Sequence, residues 1–369
     1  MVDRISLLPD EVLCHILSFL PTKKAVATSV LSKKWRPLWI LVPTLDYDDE
    51  IYLVRDKPFY YFEKLVYETI RARDAEQPIR RFRLKYDSSH SDRSDADVNA
   101  WLKVVIPRRI ENLDINLHPK DHMISLNCCI FSCTTLVVLK LKGISLNASS
   151  SSVELPSLKS LHLEQVKFTR YQNLTELFHG CPILQDLKAH DIDYDQQDTF
   201  CVEEIKSLPK LLTADLHYQW FDIYIPLKAV CNVEYLSITK FPKVEVVPEF
   251  PNLMHMNLHL LSWDSVYKML KNSPKLQVFE VVSNGGSFVP DPHIVPECLT
   301  SQFRKCSVEY YNGTPSELRF AKYIMENSTT LQTMMICSMP ILASELKDEL
   351  FTELASCQRR SALCELSFK

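Results

Sequence analysis

Cys128, Cys129 and Cys133, with His122 just upstream, form the one cluster in this sequence with soft metal-ligand chemistry. Thiolate and imidazole suit zinc, but a structural site needs a Cys-x-x-Cys pair or a second half-site, and neither exists here. The acidic run Asp46, Asp48, Asp49 and Glu50 offers oxygens to a cation. Its simpler reading is a solvated linker. A phosphate loop needs several glycines at fixed spacing, whereas the chain has five in all, and Asn284-Gly285-Gly286-Ser287 is not followed by Lys-Ser/Thr. The eleven histidines are scattered, with no His-Glu-x-x-His and no serine in Gly-x-Ser-x-Gly. The expectation is therefore no catalytic residue, no metal and no cofactor.

What the chain does offer is apolar surface at regular spacing, and it begins in the first forty residues. Pro9 opens a helix whose first turn carries Asp10 and Glu11, both favourable to the helix dipole, and which is expected to run to Leu20 before Pro21 closes it. At about 100° per residue, Val12, Leu13, Ile16, Leu17, Phe19 and Leu20 share one wide arc. Cys14, His15 and Ser18 fill the opposite side. A second helix from Thr22 repeats the pattern with Val26, Ala27, Val30 and Leu31, leaving Lys23, Lys24, Lys33, Lys34 and Arg36 as solvent-facing positives. So small a unit is near the lower limit for holding a core unaided, so the surplus apolar face wants a partner.

The middle of the chain repeats. Pro156-x-Leu158-x-x-Leu161-x-Leu163 and Pro251-x-Leu253-x-x-Met256-x-Leu258 are the clearest copies, and their central anchors align at 113, 139, 161, 187, 214, 236, 256 and 279. The steps of 26, 22, 26, 27, 22, 20 and 23 residues fall within the range of about 20 to 29 typical of leucine-rich repeats. Helical i, i+3, i+4 triplets precede several strands: Leu174/Leu177/Phe178, Val266/Met269/Leu270 and Phe320/Tyr323/Ile324. One helix, one turn and one strand cannot bury an apolar face alone, so neighbours must stack into a curved parallel sheet with helices on the convex side. A degenerate earlier repeat begins at Arg81-Phe82-x-Leu84, while Asp87 to Asp97 and Ala148 to Ser152 read as exposed loops. In each Leu-x-Leu strand the middle residue points away from the core. Asp114, Lys140, His162, Lys188, Asp215, Ser237, Asn257 and Glu280 are thus expected in a row on the concave face. Their mixed signs favour a polar protein surface over a polyanion.

Near the C-terminus, Leu350, Phe351 and Leu354 lie on one helix, and alternating Ala362, Cys364, Leu366 and Phe368 read as a final strand. This last repeat would cap an otherwise open sheet edge.

Composition bounds the rest. The 369 residues are 46% hydrophobic and 24% charged with a net charge of -4, which gives no long-range attraction to nucleic acid. No run approaches 18 apolar residues, so neither a signal peptide nor a membrane span is expected. Most of the twelve cysteines sit where a small buried residue would serve, as at Cys181 and Cys364, which places the chain in a reducing compartment, cytoplasmic and/or nuclear.

Three stretches resemble known families. Asp3 to Glu11, Ser18 to Lys23 and Thr28 to Arg36 closely resemble a plant F-box. The repeats are similar in arrangement to those of plant leucine-rich-repeat F-box proteins. Val308-Glu309-Tyr310-Tyr311-Asn312-Gly313, Ala321-x-Tyr323-Ile324-x-x-Asn327 and Arg359-x-Ser361-x-x-Cys364-Glu365-Leu366-x-Phe368 look like the FBD extension of such proteins. The resemblance implies a three-helix F-box over 1–45, repeats over 46–289 (clearest over 109–283) and an FBD extension over 290–369. It further implies docking on a Skp-type adaptor, and through it a cullin-RING ubiquitin ligase, with a target protein held by the repeats. Carried over by position, the adaptor contacts are Leu8, Pro9, Val12, Ile16, Leu17, Leu20, Val30, Leu31 and Trp35. A non-degradative scaffold is the alternative reading, and a small-molecule receptor a third, for which no basic or aromatic pocket can be assembled from the sequence.

Overall fold

Strand-forming pairs such as Leu45-x-Tyr47 and Phe82-x-Leu84-x-Tyr86 bury every second side chain, and they extend the repeat register toward the N-terminus beyond the leucine pattern. The computed structural model describes residues 5–50, 60–87, 94–118, 123–146, 153–194, 207–218, 225–240, 246–283, 286–290, 294–339 and 344–369. His122, the loop residues 88–93 and the stretch 147–152 lie outside the described residues.

Helix α1 (Asp10–Leu17) starts one residue later than expected, with Pro9 as its extended N-cap, and ends before Leu20. The amides of Phe19 and Leu20 reach back only three residues, to Ile16 and Leu17, so the last turn tightens and stops. Then come α2 (Thr22–Ala27), a 3-10 turn Thr28–Val30 and α3 (Trp35–Leu41). Their shared core is Leu13, Leu17, Ala25, Trp35, Leu38 and Val42.

Two residues later the acidic run turns out not to be a linker. Strand β1 (Thr44–Asp48) carries Asp46 and Asp48 on one face while Leu45 and Tyr47 are buried on the other. Asp49 is buried too, accepting the Asp87 amide at 2.6 Å, and burial raises its carboxyl above the ordinary range. The two-residue alternation was hidden inside a charged stretch.

The elements that follow are α4 (Tyr60–Arg71), β2 (Arg81–Asp87), α5 (Ser94–Val105), β3 (Asn112–His118), β4 (Ile124–Leu126), β5 (Val138–Leu146), β6 (Ser160–Phe168), α6 (Tyr171–His179), β7 (Asp186–His190) and β8 (Asp193–Tyr194). Ser94 to Asp97, expected in a loop, open α5. Two units divide the chain, one of Met1–Leu184 with His190–Glu204, the other of Gln185–Ala189 with Ile205–Lys369.

In the first unit β1, β2, β3, β5 and β6 form a parallel sheet. Its register places Leu45, Phe82, Leu113, Leu139 and Leu161 side by side, all fully buried. β4 and β8 extend the far ends of β5 and β6.

The second unit runs through β9 (Thr213–His217), β10 (Tyr235–Thr239), β11 (His255–Leu261), α7 (Trp263–Lys271), β12 (Val278–Ser283), α8 (Glu297–Ser301), β13 (Lys305–Tyr311), α9 (Pro315–Asn327), β14 (Thr333–Ser338), α10 (Ser344–Ala355) and β15 (Glu365–Phe368). Strands β9 to β15 again pair in parallel, with Ala214, Leu236, Met256, Phe279, Cys306, Met334 and Leu366 in register. Each triplet predicted as helical lies in a helix, α6, α7 or α9. Thr314 and Glu317 close a capping box that starts α9. Elsewhere a 3-10 turn, Cys128–Ser132 or Leu227–Val230, replaces the helix. The fold is α/β with large parallel sheets, as expected. At its end the strand is shorter than its alternation suggested: Ala362 and Leu363 are exposed, and Phe351 points outward from α10. Ser361 is the cause, buried with its hydroxyl on the Leu331 carbonyl, while its own carbonyl turns the chain through the Cys364 amide.

Candidate adaptor and partner surfaces

The helical module buries one side of α1 and leaves the other bare. Leu13 and Leu17 fill the core, while Val12 and Ile16 remain 42% exposed, Phe19 75% and Val30 84%. Leu7 and Leu31 are exposed as well. This apolar surface is held by polar contacts around it. Lys34, expected in solvent, donates from Nζ to the carbonyls of Ser6 at 2.8 Å and Leu8 at 2.7 Å, and Trp35 Nε1 donates to Ser6 Oγ at 2.9 Å. These contacts pin residues 6–8 against α3.

Of the nine residues carried over as adaptor contacts, Pro9, Val12, Ile16, Val30 and Leu31 are exposed. Leu8 and Leu20 are half-buried against the module's own core. Leu17 and Trp35 lie inside that core, so they support the outer face rather than form it. An amphipathic arc of about 160° contains both sides of such a division, and only packing decides which residues fall inside. Ile5, Leu7 and Phe19 are outer apolar residues that the carry-over missed.

On the strand face of the first unit, Asp114, Lys140 and His162 stand side by side in the register expected of them. The row continues backward to Arg83 and Asp46. Arg83 lies 2.9 Å from Asp46, 4.0 Å from Asp48 and 3.9 Å from Asp114. Lys85 meets Glu50 at 2.5 Å and Asp48 at 3.9 Å, holding the Glu50 carboxyl below its ordinary value. Lys142 meets Glu164 at 2.5 Å. Acid and base alternate across neighbouring strands, as cross-strand pairing favours.

On the second unit, Asp215, Ser237, Asn257 and Glu280 fall in one row, and Lys188 lies on β7. Ser237 is buried, screened by His217, whose Nε2 is 3.3 Å from its Oγ and 3.0 Å from Asp215. The His217 and His259 rings are 6.1 Å apart, and burial together with that neighbour lowers the His259 pKa. Glu280 pairs with Lys305 at 3.3 Å. Glu309 accepts from the Ser307 hydroxyl and, among the described residues, has no Lys or Arg within ion-pair distance.

Past the fifth inward-outward position the chain repeatedly takes a left-handed turn. Gly143, Gln165, Lys240, Leu260 and Tyr310 all have φ between 52° and 67°. The ladder slips at two of these places, between His259 and Leu261 and between Val308 and Tyr311, as a β-bulge requires. Leu260 is 40% and Tyr310 60% exposed, apolar side chains displayed beside the strand face. No periodicity announced them, because a bulge inserts a residue outside the two-residue alternation.

Comparison with known proteins assigns three stretches of the chain. Residues 5–44 match the F-box domain, 98–208 the leucine-rich repeats of FBD-associated F-box protein At5g56370, and 291–336 the FBD. FBD-associated F-box protein At4g10400 of Arabidopsis thaliana is 31% identical, with all of both chains covered. F-box/FBD/LRR-repeat protein At4g00160 of the same plant is 30% identical over all of this chain and 94% of its own length. The chain belongs to the F-box/FBD/LRR-repeat family. Its F-box is thus the three-helix module with the bare apolar face, and a Skp-type adaptor is the class of protein that an F-box binds. Its FBD comprises α8, β13, α9 and the start of β14. Among the described residues, no helix is long and apolar enough to cross a membrane.

Proposed function

We propose that this protein is the target-recognition subunit of a Skp-cullin-F-box type ubiquitin ligase. The F-box docks on the adaptor, the adaptor connects it to a cullin-RING core, and the repeats hold a target protein. Its contribution to catalysis is proximity: it raises the effective concentration of target lysines near the charged enzyme and supplies no reacting group of its own. The observation that carries this reading is the outer face of α1 and the 3-10 turn, where Val12, Ile16, Phe19, Val30 and Leu31 stay exposed after the module has filled its core. Exposed apolar surface concentrated on one small module is what a permanent partner covers.

For the target, the strand faces are the surfaces, with Asp114, Lys140 and His162 as contacts on the first unit and Lys188, Asp215, Asn257 and Glu280 on the second. Tyr310 and Leu260 are added as apolar anchors, since exposed aromatic side chains dominate protein interfaces. The protein works in the cytoplasm or nucleus, where its thiols stay reduced. Burial pushes the Cys181 and Cys298 thiols up to about 12, which keeps them unreactive.

Replacing Ile16, Val30 and Leu31 together with Asp tests the docking. These side chains are outside the core, so the circular dichroism spectrum should be retained while co-purification with a recombinant Skp-type adaptor is lost. Undiminished co-purification would refute the assignment. Deleting the F-box then separates a degradative role from a scaffold, because only the former lengthens the half-life of bound partners.

A further inference from the structure

Between the F-box and the first repeat there is almost no connection to flex. Helix α3 ends at Leu41 and strand β1 begins at Thr44, leaving Val42 and Pro43. So short a link fixes a distance, but the angle needs contacts on either side of it. Arg73 supplies them. It sits just past the end of α4 and reaches back across the chain, donating from Nη1 to the carbonyls of Ile40 at 2.7 Å and Val42 at 2.5 Å, and from Nη2 to the carbonyl of Trp39 at 2.9 Å. These lie among the carbonyls that a helix end leaves without intrahelical partners, and the negative end of the α3 dipole points toward the cation.

The guanidinium is costly to place there. Arg73 is 4% exposed and, among the described residues, has no carboxylate within ion-pair distance, and burial lowers its pKa to about 10. Its Nε has no partner among the described residues, but Nη1 and Nη2 of the planar fork together serve three carbonyls that a flexible ammonium could not match. Two further ties join the same elements. Buried Thr22 of α2 accepts the amide of Asp46 in β1 at 2.8 Å, and the hydroxyls of Tyr47 in β1 and Thr69 in α4 are 2.6 Å apart.

We infer that Arg73 is a positioning residue that locks the F-box at one angle on the first repeat, so that the adaptor-bound ligase core stands at a fixed orientation to the strand face of the first unit. The consequence for ligase geometry rests on the proposed function. The lock itself does not depend on it.

The test is a distance distribution by pulsed electron spin resonance on the full chain. Spin-labelled non-natural residues would replace Arg36 in the F-box and Lys159 in the first unit, both exposed. Wild type is expected to give one narrow distribution, alone or with a recombinant Skp-type adaptor. Arg73→Met, which keeps the bulk, and Arg73→Lys, which keeps the charge but not the fork, should each broaden it at least twofold while adaptor affinity changes less than threefold. In a reconstituted ligase the variants should also spread self-ubiquitination over more lysines. A purely stabilising residue would lower the melting temperature and leave the width unchanged, and that result overturns the proposal. So would a broad wild-type distribution, or failure of both variants to fold. If the chain binds no adaptor yet the widths behave as described, the lock stands and the ligase assignment falls.

Discussion

The strand faces of the two units share one architecture and differ in chemistry. In both, buried anchors such as Leu139 and Leu236 occupy the same register position, and the residue beside each faces outward. On the first unit those outward residues answer one another, with Arg83 between three aspartates and Lys85 between Asp48 and Glu50. On the second they do so only in part: Glu280 pairs with Lys305 and Asp215 with His217, but Glu309 meets a hydroxyl and a thiol, two histidines crowd each other, and Leu260 and Tyr310 stand exposed at left-handed turns. The difference teaches that the repeat constrains only its inner positions. A self-neutralised ladder must break its own pairs to bind a partner, which would cost the first unit more than the second.

Anchor truncation should break both units alike. Leu139→Ala and Leu236→Ala are each expected to cost about 2–5 kcal/mol in urea unfolding, and a large loss in only one would mean that the two sheets are not built the same way. Charge reversal should then divide them. Arg83→Glu removes three contacts and sets a fourth acid among them, for a loss of about 1–2 kcal/mol that shrinks in 1 M salt, as expected for half-exposed pairs. Its counterpart Lys305→Glu touches one pair and should cost under about 1 kcal/mol. Equal losses would erase the contrast.

Acid should sharpen it further. The His259 pKa is lowered by burial and by His217, so neutral imidazole is the form that the fold prefers. Its stabilising contribution is fully present above the unfolded value of about 6.5 and is lost as pH falls through the lower folded value. Asp114 in the first unit behaves oppositely. Burial raises its pKa despite Arg83, so its contribution is present below the unfolded value of about 4 and lost as pH rises through the folded one. Melting curves of His259→Gln should lose the acid-side slope, and those of Asp114→Asn the slope near pH 4. The smallest effect is expected at Tyr310→Gly. Glycine relieves a left-handed backbone worth about 1 kcal/mol, so stability should hold or rise slightly, and a clear loss would show that the exposed ring is packed after all.

The repeat register was legible because leucine anchors recur at a period that only stacked strands explain, and all eight predicted anchors are buried. Strand β1 was not, since Asp46 and Asp48 within it and Asp49 and Glu50 just after it read as a linker until Phe82 and Leu84 line up beside Leu45 and Tyr47 on the buried face. The same limit applied at the F-box. Its sequence announced an apolar arc, but which residues of the arc face inward depends on α3 lying across α1, which buried Leu17 and Trp35 and left Phe19 outside. Arg73 had no sequence signal at all. A lone arginine after a helix gains meaning only when the chain folds back on the carbonyls that it caps.

The most direct measurement of the central claim is a hydrogen-exchange footprint of the full chain with and without a purified Skp-type adaptor. The account predicts new protection over residues 7–19 and 28–31 and little change in the strands. No complex, or protection confined to the strands, would contradict it.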